Sequence, residues 1–237
     1  MGRRRGVAKA LPTAYDTIVV MPAFNEGHGI AEVVRTTRRR FAHVLVIDDG
    51  SNDTTAEQAM AAGAMVIRHP VNLGQGAALE TGFEWARRHA VQWVVTLDSD
   101  GQHDPDDGLR LLALAQEQGL DACLGSRFLG RTEGMPTSRR MLLRTALVFQ
   151  HVTSGLRLTD VHNGLRVLSA NALRHIRLQQ DRMAHASEII EQIAKHRLRV
   201  GEGPVTIRYT AYSLAKGQSA LGALNILMDL LLARLGR

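Results

Sequence analysis

From Thr17 to Leu124 the chain alternates short apolar runs with segments of helical periodicity, and few folds accept that rhythm. The runs are Thr17–Met21, Val44–Ile47, Ala64–Arg68, Trp93–Thr96 and Ala122–Leu124. Each is of strand length and apolar enough to be buried in a sheet. Between them, Ile30, Val33, Val34 and Thr37 share one helical face, which Arg38, Arg39 and Arg40 close. Thr54-Thr55-Ala56-Glu57 spells a capping box for a helix reaching Ala62. Leu79, Gly82, Phe83 and Ala86 form an apolar helical stripe, and another helix is expected over Pro105–Gln118. Such alternation predicts an α/β fold with a mostly parallel sheet and helices on both faces.

After Gly125 the rhythm breaks. Arg127, Arg131, Arg139, Arg140 and Arg144 follow with little acid to balance them. A strand is expected at 164–168, a helix at 187–196, an edge strand at 205–209, and a final amphipathic stripe through Leu221, Leu224, Met228, Leu231 and Leu235. The expected organisation is a flexible basic arm over 1–15, one domain over 16–215 and an amphipathic helix over 216–237. The single cysteine, Cys123, rules out an internal disulfide and a cysteine-based metal site. Arg3, Arg4 and Arg5 precede no apolar run, so they do not open a secretory signal. No stretch reaches the roughly 18 apolar residues of a membrane span; Leu221–Leu235 is interrupted by Asn225, Asp229 and Arg234. The expected location is cytoplasmic, peripheral on the inner face of the cell membrane. A net charge of +6 favours anionic partners, whereas 4% aromatic residues without basic interleaving argue against nucleic acid.

The chemistry-bearing residues gather where strands end, which is where open α/β sheets bind ligands. Asp98-Ser99-Asp100 leaves the Trp93 run, and two carboxylates so spaced can share a hard cation, Mg²⁺ or Mn²⁺. Pro22-Ala23-Phe24-Asn25-Glu26 follows the first run, where Pro22 is expected to stop the strand. Asp48-Asp49-Gly50-Ser51 follows the second, with a carboxylate able to accept from a base or ribose. Asn72-Leu73-Gly74-Gln75-Gly76 lies after the third; Leu79 occupies the place of the last glycine in a dinucleotide fingerprint, which excludes that reading. Gly125-Ser126-Arg127 follows the fifth. Singly, these motifs also read as acidic turns, helix caps, a tight glycine turn or a surface ion pair.

Together and in this order they resemble glycosyltransferase family 2, which adopts the GT-A (Rossmann-like) fold. The matching patterns are P-x-x-N-E, D-D-x-S-x-D, N-x-G-x-G-x-A, D-x-D-x-Q-H-x-P and G-S-R, from about Thr17 to Phe128. The Q-H after the D-x-D and the G-S-R segment are similar to the branch containing dolichol-phosphate mannose synthase and bacterial polyprenyl-phosphate sugar transferases. The resemblance implies that Pro22, Phe24 and Glu26 line a nucleotide pocket and that Asp49 hydrogen-bonds the base. It implies that Asp98, Asp100 and Gln102 hold the metal and diphosphate, and that Arg127 contacts phosphate. Arg139 and Arg140 fall where the branch carries basic residues for a lipid phosphate. The family's G-E-S-K-like segment is Gly217-Gln218-Ser219-Ala220 here, so Lys216 stands in for the missing lysine.

The chain contains neither a Glu-Asp dipeptide, often the base for hydroxyl acceptors in the family, nor Gln-x-x-Arg-Trp. A hydroxyl must lose a proton to attack, whereas a phosphate monoester is already anionic at neutral pH. The expected reaction is therefore inverting transfer of a sugar from a UDP- or GDP-linked donor to polyprenyl phosphate, for cell-envelope glycans. Asp160 is the candidate if a base is required. Expected partners are the donor, the lipid phosphate and an anionic membrane surface, with a small membrane protein as a further candidate. The alternatives are a saccharide hydroxyl as acceptor in surface-polysaccharide synthesis, or a silent nucleotide-sugar-binding partner of a membrane protein.

Overall fold

A computed structural model describes residues 16–133, 155–160 and 163–208. In chain order the elements are β1 (Thr17–Ala23), α1 (Ile30–Arg38), β2 (Val44–Asp48), α2 (Thr55–Ala61), β3 (Met65–Arg68), α3 (Gln75–Arg88), β4 (Trp93–Thr96), α4 (Pro105–Gln118), β5 (Ala122–Glu133), β6 (Arg166–Ser169), α5 (Ala170–His175), α6 (His185–Lys195) and β7 (Val200–Arg208). The strands form one sheet in the order β3-β2-β1-β4-β6-β5-β7. β6 runs antiparallel to both its neighbours, and every other pairing is parallel.

Because β1 and β2 are buried on both faces, their alternate residues feed two cores. Ile18, Val20, Leu45 and Ile47 pack with Leu79, Phe83 and Ala86 of α3 and with Ile189, Ile190 and Ile193 of α6. Val19, Met21, Val44 and Val46 pack with Ile30 and Val34 of α1 and Leu111 and Ala115 of α4. The whole predicted stripe of α3 is buried, Gly82 included. Its missing side chain matters: a Cβ there would lie 2.3 Å from a methyl of Val20.

Four local expectations are corrected. Pro22 does not stop β1, which continues to Ala23 with Pro22 opposite Ile47. Residues of a parallel strand bond alternately to either side; Val19 bonds towards β2 and Val20 towards β4, so Pro22 faces β4. The β1–β4 ladder has already ended at Val20, and no N–H is needed there. Thr54 makes no side-chain cap on α2. Asp53 does that work, accepting from the N–H of Thr55 at 3.0 Å. β5 does not end at Leu124 but runs to Glu133, with its register to β7 shifting between Ser126 and Arg131. Finally, β7 begins at Val200 rather than 205, and it is an edge strand as expected. The arm over 1–15 and the helix over 216–237 lie outside the described residues. Among the described residues no helix is long and apolar enough to cross a membrane.

Candidate active site

The parallel strands bring the first, second and fourth motifs to one edge of the sheet, and hydrogen bonds join the first two. Asn25, in the left-handed region at φ 53°, receives the Asn52 N–H on its Oδ1 at 3.0 Å. Its own N–H donates to Ser51 Oγ at 2.9 Å. The N–H of Glu26 donates to Thr55 Oγ1 at 2.8 Å and that of Gly27 to Asp53 Oδ2 at 2.9 Å. Pro22 and Glu26 are buried, and Phe24 stays 38% exposed at the rim. Asp48 is fully buried, with Oδ2 3.1 Å from Arg68 Nε.

Asp49, the residue expected to meet a base, is buried and hydrogen-bonded within the protein. Its Oδ1 lies 2.8 Å from His69 Nδ1 and accepts the Leu73 N–H at 3.0 Å. Its Oδ2 accepts the Gly74 N–H at 2.7 Å. His69 Nε2 in turn lies 2.9 Å from Thr81 Oγ1. The glycine motif is thereby strapped to the end of β2. Its own helix N-terminus is covered as well: the N–H groups of Gly76 and Ala77 donate to the carbonyl of Asp181 at 2.8 and 3.2 Å. Close backbone packing, not an anion cradle, is what its glycines permit. A Cβ on Gly76 would lie 1.9 Å from the carbonyl oxygen of Gln180.

After β4 the two carboxylates differ in environment. Asp98 Oδ1 accepts from Gln75 Nε2 at 3.0 Å and Oδ2 from His103 Nε2 at 3.2 Å. Burial pushes the Asp98 carboxyl up, but the His103 hydrogen bond and the charges of His103 and Arg166 outweigh it and hold it below the usual range. Burial and then the negative charge of Asp98 push Asp100 up to about 6, against one N–H from Gln102 at 3.0 Å. Two carboxylates, one resisting ionisation because it is buried beside the other, form a centre that a divalent cation would relieve. Gln102 enters through its backbone, its carbonyl also accepting from the Arg208 N–H at 3.1 Å.

On the far side of β4, Arg127 of β5, Asp160, Arg166 of β6 and Glu202 of β7 form a second set of charges. Arg127 sits where β5 slips its register, and its Nε donates to Asp160 Oδ2 at 2.6 Å with both side chains buried. The Arg127 N–H reaches the same oxygen at 3.1 Å. Asp160 is held in turn by Glu202, which accepts the N–H groups of Thr159 and Asp160. Burial pushes the Glu202 carboxyl up. Sequence reasoning missed Arg166, the first residue of β6, which is 3% exposed. Burial pushes its guanidinium down to about 10 while Asp98 and Asp160 oppose the shift. Its Nη1 has no hydrogen-bond partner among the described residues. An arginine opening an apolar strand carries no local mark of burial; only the pairing of Arg166 with Thr96 and Leu124 puts it here. Gln75 and His103 lie inside motifs that the sequence analysis singled out, but their contacts to Asp98 span 23 and 5 residues and only the folded chain shows them. Arg139, Arg140 and Lys216 lie outside the described residues.

The chain is similar in sequence and fold to known proteins. The sequence model described as glycosyl transferase family 2 matches residues 18–177. A UDP-N-acetylglucosamine–dolichyl-phosphate N-acetylglucosaminyltransferase of Methanococcus voltae is 28% identical, over 92% of this chain and 96% of its own. A polyprenol monophosphomannose synthase of Mycolicibacterium smegmatis is 32% identical over 68% of this chain and 64% of its own. Among solved structures, glucosyl-3-phosphoglycerate synthase from Mycobacterium tuberculosis, in complex with Mn²⁺, UDP and glucosyl-3-phosphoglycerate, superposes with a TM-score of 0.68. That likeness, at 18% identity, spans 92% of this chain and 79% of the other and reflects the GT-A fold. With the D-x-D carboxylates and the strand-end motifs assembled on that sheet, the chain belongs to glycosyl transferase family 2.

Proposed function

We propose that the protein is an inverting, metal-dependent transferase that moves a sugar from a UDP- or GDP-linked donor to polyprenyl phosphate. The observation that carries this reading is the buried array of Arg127, Asp160 and Arg166 beside the Asp98–Asp100 pair. Asp98 and Asp100 would hold Mg²⁺ or Mn²⁺, which when bound supplies charge neutralisation for the departing nucleoside diphosphate. Pro22, Phe24 and Glu26 line the donor side, and Asp49 keeps the adjoining segment in place. Arg127 offers its guanidinium to an anionic acceptor, with Asp160 fixing the direction of that guanidinium through its Nε.

A carboxylate so engaged suits a positioning role better than proton removal, which agrees with an acceptor that needs no base. The named relatives that act on dolichyl phosphate and make polyprenol monophosphomannose support the same acceptor class. Arg139, Arg140 and Lys216 are proposed to add charge for the lipid phosphate at an anionic membrane surface. The test is a screen of UDP- and GDP-sugars with Mn²⁺, with and without polyprenyl phosphate, read by mass spectrometry of the lipid. A glycosylated lipid phosphate is the expected product. Efficient transfer to a soluble saccharide, with the lipid ignored, would replace this reading by a hydroxyl-acceptor enzyme.

A further inference from the structure

Gln75 is held at both flanks of its backbone. Before it, the N–H groups of Leu73 and Gly74 are bonded to the Asp49 carboxylate. After it, those of Gly76 and Ala77 are bonded to the Asp181 carbonyl. Gly74, at φ +110°, and Gly76 let residues 180–181 approach so closely that a Cβ at either position would overlap a carbonyl oxygen. Residue 75 therefore has little backbone freedom, and its half-buried side chain ends on Asp98 Oδ1 at 3.0 Å. An ionised carboxylate only accepts, so the amide nitrogen must be the atom that faces it. With His103 on the other oxygen, the Asp98 carboxylate is gripped from both sides and cannot turn about its terminal bond.

We propose that Gln75 is a positioning residue for the metal centre: strapped between Asp49 and Asp181, it presets the Asp98 carboxylate for a divalent cation. The inference rests on the reading of Asp98 and Asp100 as metal-holding residues. A carboxylate left free to rotate must be ordered at the moment of binding, so removing the amide weakens cation affinity without touching the cation itself. Partners of this kind typically contribute 10–100-fold in metal affinity.

The informative variant is Gln75→Met, which keeps length and volume but cannot donate; Gln75→Ala is its companion. Mn²⁺ binding in the presence of UDP, followed by the electron paramagnetic resonance signal of free Mn²⁺, should weaken about 10-fold or more in both. UDP binding in EDTA, followed by calorimetry, and the thermal midpoint should stay at wild-type values. Unchanged Mn²⁺ affinity in folded Gln75→Met overturns the proposal while the metal reading stands. No Mn²⁺ binding by the wild type overturns both.

Discussion

Asp100 is a carboxyl held against its ordinary ionisation inside the site. Its carboxyl is pushed from 3.8 to about 6 by burial and by the charge of Asp98. Between those values the folded protein binds the proton more tightly than the unfolded chain does, so stability falls as pH rises through that window. Above about pH 6 the whole penalty is present. Asp100→Asn removes it: in EDTA at pH 7.5 the variant should be more stable than wild type by about 1–3 kcal/mol. Urea unfolding should show the gap closing as pH drops towards 4; a gap independent of pH would refute this origin. The same variant should lose nearly all sugar transfer, which is the usual trade of stability for function at a charged centre.

At the scale of elements, the site depends on backbones that pack without side chains between them. The start of α3 lies against residues 180–181, and Gly76 leaves no room for a methyl group there. Gly76→Ala should destabilise by about 1–3 kcal/mol, the cost of overpacking. Gly29, at the start of α1, meets nothing within 4 Å of its virtual Cβ. Gly29→Ala should therefore stay within about 0.5 kcal/mol of wild type, as open surface positions do. Denaturant midpoints of the two variants, measured together, separate a packing requirement from a general intolerance of alanine. The register slip in β5 is a second such device: bulges bend a strand and re-aim its side chains, and this one falls at Arg127.

Over the whole molecule, the basic residues outnumber the acidic ones by 29 to 23. A chain of net charge +6 acting on a lipid phosphate would be drawn to an anionic surface, with a strength set by salt. Sedimentation with vesicles containing anionic lipid should show binding at low salt that is largely lost by about 0.5 M, where screening lengths are only a few ångströms. Arg139→Ala with Arg140→Ala should weaken that binding and raise KM for polyprenyl phosphate far more than for the sugar nucleotide. Binding that is insensitive to salt, or a double variant with unchanged KM, would refute the electrostatic account.

Local pattern alone located β1 to β4, α1, α3 and α4 to within a few residues, because apolar period and turn residues are short-range properties. It also placed the D-x-D at the end of β4. What it could not show is which donor meets which acceptor. Asp49 and Gly74 are 25 residues apart, and Thr96 donates to the carbonyl of Gly164 across 68 residues at 2.6 Å. Such pairs exist only because β6 inserts antiparallel between β4 and β5, and because α3 returns against β1. Sequence by itself determined the elements and the chemical kinds of side chain at their ends. The tertiary structure decided that Asp49 holds a loop, that Asp160 holds Arg127, and that Arg166 and Gln75 stand beside the carboxylates. The physical reason is that burial and hydrogen-bond pairing are set by neighbours in space, which no local stretch of chain contains.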